Sequence, residues 1–198
     1  MAKKKTNPCS QSSGTVHPMP QNNIISSTQL RQQIEQNSLT CIDSKPGVYR
    51  WWFPEDLVKQ IFEVLSNLKL PQHFKLQEMK IDRIVYVALY FGMSGDLGKR
   101  IRQHVKGPFS SSTLRRTLRA ILAHDVRNGK RASEIVNDCI NKCYWQWDTT
   151  VNEEAAKKIE KGELCQQNFA YPLNIQGNHT VLPTDWLTNL KRLRKTMK

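Results

Sequence analysis

Acidic residues are scarce in this chain, and long apolar runs are missing altogether. The 198 residues carry 17 Asp+Glu against 30 Lys+Arg, a formal net charge of +13. A deficit of that size points to a polyanionic partner. No stretch approaches the roughly 18 consecutive apolar residues of a membrane span, and the chain opens without an apolar signal-like segment. A cytoplasmic protein with no membrane partner is expected. Cysteine is sparse and odd in number, 5 in all, which favours reduced thiols over a disulfide framework. Cys139 and Cys143 stand four apart, but no second Cys/His pair follows at zinc-ligand spacing. There are no internal repeats, and the length suits one domain with tails.

Polar residues dominate Met1 to Ser27, which includes Lys3-Lys4-Lys5 and buries too little apolar surface to order itself. The expected division is a flexible arm over 1–38, with a short polar helix at Thr28–Asn37 as its one element. A core over 39–183 and a basic C-terminal helix over 184–198 complete it. Within the core, Val48–Phe53 suits a strand. Leu57, Ile61, Leu65 and Leu68 recur at helical spacing, predicting a helix over Glu55–Leu68. Ile84–Phe91 is the clearest strand. Its two-residue period puts Val85, Val87, Leu89 and Phe91 on one face and Tyr86, Ala88 and Tyr90 on the other.

Ser94-Gly95-Asp96 is a turn with a helix cap. In the helix after it, Leu97, Ile101 and Val105 form a buried stripe, with Arg100 and His104 one turn apart elsewhere. Further helices are expected at Ser112–Ala123, Ala132–Cys143 and Asn152–Leu164, with a third strand at Tyr144–Thr150 and a last helix from Asp185.

Basic residues cluster next to these features. Between Lys99 and Arg131 the single acid is Asp125. Arg102, Lys106, Arg115, Arg116 and Arg119 are expected to face outward toward nucleic acid, as are Lys191, Arg192 and Arg194 of the last helix.

Gly47-Val48-Tyr49 and Tyr90-Phe91-Gly92, followed by Arg100, His104, Glu160 and Asn174, keep an order and local spacing that resemble the GIY-YIG nuclease family. The match runs from Pro46 to Gly177. Three departures stand out: residues 53–83 read as an insertion between the motifs, Met93 occupies a position often basic in the family, and the gap from Glu160 to Asn174 is slightly long. The resemblance implies an α+β fold. A small three-stranded antiparallel sheet would be flanked by helices, with an inserted helix between the two motif strands. It also implies metal-dependent hydrolysis of double-stranded DNA.

In that reading Tyr49 is the general base, although a free phenol has a pKa of about 10. Tyr90 orients the water or the phosphate. Arg100 clamps the scissile phosphate with a planar, permanently charged fork. His104 reaches the same phosphate or relays a proton. Glu160 ligates Mg2+, with Mn2+ as a substitute; a lone carboxylate suffices because waters and phosphate complete the octahedron. Glu154 and Glu163 remain alternatives for that ligand, and Asn174 has a supporting role.

A type II restriction endonuclease of this family, acting as a homodimer on DNA, is the leading expectation. A repair or mobile-element nuclease is the second. A catalytically inactive DNA-binding module of the same fold is the third.

Overall fold

The computed structural model describes residues 17–65, 76–165, 169–175 and 182–195. The strands expected around the two motifs form the middle of the sheet. β2 (Gly47–Pro54) pairs antiparallel with β4 (Ile84–Ser94) on one side and with β5 (Tyr144–Thr149) on the other. The sheet has five strands, not three, in the order β1-β5-β2-β4-β3. β1 (Ile24–Ser26) adds to β5 and β3 (Glu78–Ile81) adds to β4. Both extra strands are short and half-exposed, so neither shows the run of apolar residues that makes a strand visible in sequence.

The N-terminal segment and the insertion each supply the helix expected of them, and each adds a strand. Part of the segment expected to be a flexible arm is ordered: β1 leads directly into helix α1 (Ser27–Glu35), whose N-cap Ser26 and Gln29 form a reciprocal capping box. Residues 1–16 of that arm lie outside the described residues. The inserted segment supplies helix α2 (Glu55–Val64) and also β3; residues 66–75 lie outside the described residues.

Helices α3 (Leu97–Val105), α4 (Thr113–Leu122), α5 (Gly129–Asn141) and α7 (Thr184–Lys195) bury their apolar stripes, with α1 and α2, in one large core. Tyr49, Trp51, Phe53, Leu89 and Trp145 contribute the sheet side of it. Helix α6 (Glu153–Leu164) belongs to a second, smaller core with Val48, Trp52, Tyr86, Phe91 and Tyr171. Among the described residues no helix is long and apolar enough to cross a membrane. Cys41, Cys139 and Cys143 are free thiols; Cys165 is disulfide-bonded, which departs from the expectation of reduced thiols throughout.

The strict alternation expected for β4 fails at one place. Trp51 lies opposite Tyr90 and Trp52 opposite Ala88, so Leu89 is an extra residue that β2 does not match. Such a bulge resets the phase of the strand. Tyr90 therefore joins Tyr49, Val87 and Leu89 in the first core, while Phe91 turns to the second. The expected faces of Tyr90 and Phe91 are thus exchanged.

On the second face, Arg50 holds α6 to the sheet. Its Nη2 donates to Glu163 Oε1 at 2.8 Å, with both side chains almost wholly buried, and its Nε donates to Tyr171 Oη at 3.1 Å. Tyr171 Oη also donates to Glu163. Removing one member of a buried ion pair leaves the other charge uncompensated. Arg50→Ala is expected to lower stability by about 3–5 kcal/mol, measured by urea unfolding. A loss under about 1 kcal/mol, the scale of an exposed pair, would show that the pair does not hold α6 in place.

Candidate active site

The bulge brings the two motif tyrosines together. Their rings stack with centroids 6.3 Å apart. Tyr49 pairs across the sheet with Gly92, and a β-carbon at Gly92 would lie 2.6 Å from Tyr49 Oη and 2.8 Å from its Cζ. The second motif thus ends in glycine because the phenol of the first occupies the space a side chain would need.

His104 lies beneath the tyrosines. It is 1% exposed, so it cannot reach a phosphate outside, against that part of its expected role. Its Nε2 is 2.9 Å from Tyr49 Oη and its Nδ1 is 2.7 Å from Ser112 Oγ. Burial, with the charges of Arg100 and Arg115, holds the imidazole well below its ordinary pKa. It is therefore neutral near pH 7, with one nitrogen donating and the other accepting. Ser112 was legible only as the start of a helix, where its Oγ does accept the N–H of Arg115. Its contact with His104 depends on the turn between α3 and α4, which no local pattern reveals.

Burial raises the pKa of both phenols. Tyr49 lies well above the ordinary value, chiefly through burial and then through Tyr90. Tyr90 is pushed up to about 12, first by burial and then by the Glu160 carboxylate, with Arg100 opposing. Tyr90 is the tyrosine that lines an adjoining cavity of about 210 Å³, together with Thr113, Glu160 and Asn174.

Arg100, in the first turn of α3, is half-buried. Its Nη1 donates to Gln103 Oε1 at 3.0 Å, while its Nε is buried without a hydrogen-bond partner. A guanidinium that joins no carboxylate among the described ion pairs keeps its fork open for an anion.

Glu160 approaches from α6. Burial raises its carboxyl pKa, opposed by a hydrogen bond from the Met93 backbone and by the charge of Arg100. Glu163, one turn later, is committed to Arg50 and Tyr171, and Glu154 is exposed. No group of three or more His, Cys, Asp or Glu able to hold a metal exists among the described residues. A single half-buried carboxylate beside a cavity still suits a hard divalent ion that keeps most of its ligands as water.

Asn174 is buried and does not face outward as a free amide. Its Nδ2 donates to Phe91 O at 2.6 Å and its Oδ1 accepts from Phe91 N at 2.9 Å. The amide thus holds the middle residue of the second motif.

The outward basic set holds in part. Arg102, Lys106, Arg116, Lys191 and Arg192 are exposed, and Arg119 and Arg194 are half-exposed. Arg115 is not available to nucleic acid. It is 3% exposed, and its Nη1 donates to the carbonyls of His104 and Val105 at 3.2 Å, closing the C-terminus of α3. Burial and the charge of Arg31 lower its pKa to about 10. The helical wheel of α4 placed it outside, but the end of α3 packs over that face and buries it.

Two phenols, a guanidinium and a carboxylate converging at the end of an antiparallel sheet make a site suited to an anionic ester. A family model for the GIY-YIG catalytic domain matches residues 47–196. The chain belongs to the GIY-YIG family and is a DNA endonuclease, with DNA as its substrate. Nucleases of this family generally depend on a divalent metal. No curated protein and no solved structure was found to match the chain.

The buried histidine sets a pH dependence of stability. Its folded pKa lies below its unfolded value near 6.5. Above that value neither state binds the proton; below it the unfolded chain binds more, so stability falls as pH falls. Thermal unfolding between pH 7.5 and 5.5 is expected to show wild type losing stability below about 6.5, by at most about tenfold in the folding constant per pH unit. His104→Gln is expected to flatten that slope; an equal slope in both proteins would place the titrating group elsewhere.

Gly92→Ala is expected to displace Tyr49 and reduce cleavage at least about 100-fold, the scale of losing one preorganised catalytic contact. Full activity in that variant would refute the close packing of the two motifs.

Proposed function

We propose that the chain is a metal-dependent endonuclease that hydrolyses double-stranded DNA with water as nucleophile. The observation that carries this reading is the stacking of Tyr49 on Tyr90 at a cavity that Tyr90 and Glu160 line, with the Arg100 charge acting on both phenols and His104 behind the first tyrosine. Tyr49 acts as general base. Its phenol is neutral in the free protein, and the water's proton passes to Tyr49 Oη as the phenolic proton moves toward His104 Nε2, in the tautomer whose Nδ1–H donates to Ser112 Oγ. Burial disfavours an imidazolium there; the negative charge of a bound phosphate would offset part of that cost.

Tyr90, at the cavity wall, orients the phosphate or the water. Arg100 donates to the phosphate oxygens and stabilises their added charge in the pentacovalent transition state. Glu160 would hold Mg2+, or Mn2+ in its place; such an ion supplies charge neutralisation at the phosphate and at the leaving oxygen. Asn174 acts indirectly, by holding Phe91 between Tyr90 and Gly92.

The finer assignment is a sequence-specific type II restriction endonuclease, cytoplasmic, that cuts a palindrome as a homodimer. The inserted α2 and β3 support it by widening the domain between the two motifs, and basic residues of α3, α4 and α7 offer a surface for duplex backbone.

The test is cleavage of long natural duplex DNA with Mg2+, with Glu160→Ala as the matched control. Discrete fragments that vanish in the control and with EDTA are expected. A smear lost in the control would replace restriction with a repair-like activity. Arg100→Ala and Tyr49→Phe are each expected to slow cleavage about 100-fold or more. If both kept full rates, the assigned roles would be wrong.

A further inference from the structure

A second cavity, between α4 and α7, is walled almost entirely by cations. Arg116 and Arg119 of α4 and Lys191, Arg194 and Lys195 of α7 enclose about 510 Å³, closed on one side by Phe109 and Ser110. None of these five cations joins a carboxylate in an ion pair among the described residues. Five unneutralised positive charges around one hollow repel each other, and only an anion removes that cost. The Arg119 guanidinium lies over the Phe109 ring, 4.9 Å from its centroid, and its Nε is buried without a hydrogen-bond partner.

A hydrogen bond links the basic cavity to the reaction centre. Thr113 lines the cavity of Tyr90 and Glu160, and Arg116 Nη2 donates to Thr113 Oγ1 at 3.4 Å while facing the basic hollow. Arg194 is half-buried between the two. Burial and the nearby charge of Arg116 lower its pKa, while the Tyr90 phenol acts in the opposite sense. The same guanidinium works on Tyr90 in return, after the larger effects of burial, Glu160 and Arg100. A hollow of basic charge one turn of α4 from Thr113, on the wall of the Tyr90–Glu160 cavity, has the size and sign for a backbone phosphodiester next to the one being cut.

We propose that the hollow between α4 and α7 is a subsite for the DNA phosphate flanking the scissile phosphate, with Arg194 and Arg116 as its contacts and Arg194 as the residue joining it to the reaction centre. This rests on the nuclease reading. It makes α7 part of the substrate cradle and Arg194 a positioning residue, which sets where along the strand the scissile bond comes to rest.

The test is duplex DNA binding by fluorescence anisotropy in EDTA, so that no cleavage intervenes, across a series of salt concentrations. Wild type is compared with Arg194→Gln, Arg116→Gln and the double variant, with Lys59→Gln, whose side chain lines a separate cavity with Glu55 and Tyr144, as control. Each lost phosphate contact is expected to reduce the slope of log K against log salt by about 0.9. The double variant should lose about twice that, and Lys59→Gln should keep the wild-type slope. In cleavage, KM should rise more than kcat falls. Arg116 is exposed, so its variant separates a binding effect from a folding defect, and thermal unfolding checks Arg194→Gln directly.

Slopes unchanged in both single variants, or a fall of equal size in Lys59→Gln, would overturn the subsite and leave the nuclease reading standing. Failure of wild type to bind duplex DNA at any salt would overturn both.

Discussion

Between Trp51 and Trp52, β2 advances one residue while β4 advances two, and the unmatched residue is Leu89. The meeting of the two motif tyrosines follows from where that extra residue falls. With strict alternation Tyr90 would face α6 and Phe91 the helices above Tyr49. With the bulge, Tyr90 stacks on Tyr49, and both stand over His104 in the larger core. A bulge costs a regular ladder step, and its neighbours compensate. Leu173 N donates to Leu89 O at 3.0 Å, and the Asn174 amide takes both polar atoms of Phe91.

The carboxylate arrives by a separate route. α6 packs in the smaller core on the other face. The Arg50–Glu163–Tyr171 cluster fastens it there, with the Arg50 guanidinium 5.4 Å from the Phe91 centroid and 5.9 Å from that of Tyr171. Glu160 and Glu163 lie on one turn, so the buried pair also sets the reach of Glu160. Of two similar acids, one is spent on structure and one is left open toward the cavity. Their burial and partners distinguish them, since both are glutamates on the same helix three residues apart.

How far the sequence could be read depended on whether a signal was local. The three central strands and the helices α2 to α7 were visible because their apolar periods are strong, and the motif residues kept a recognisable order. β1 and β3 were not, being three and four residues of mixed polarity that are strands only because a neighbour pairs with them. The bulge at Leu89 left no mark, since Val-Ala-Leu-Tyr-Phe reads equally well as regular alternation. Arg115 was misplaced because the helical wheel describes α4 alone, while the end of α3 decides what covers that face. Ser112 and Arg50 were missed for a related reason: each matters through a partner far along the chain, His104 in one case and Glu163 in the other.

The coverage of β4 has a consequence for how copies of this protein can meet. On its outer side β3 and Gln77 pair with β4 as far as Ala88, and from Leu89 onward Leu173 and Asn174 take over. The strand carrying the second motif therefore presents no open row of peptide groups. The sheet ends instead at β1 and β3, short edges too small to template a neighbouring chain. A contact between two copies would then fall to side chains of helices and connecting segments, which can slide and re-pack in ways that a shared hydrogen-bonded ladder does not allow.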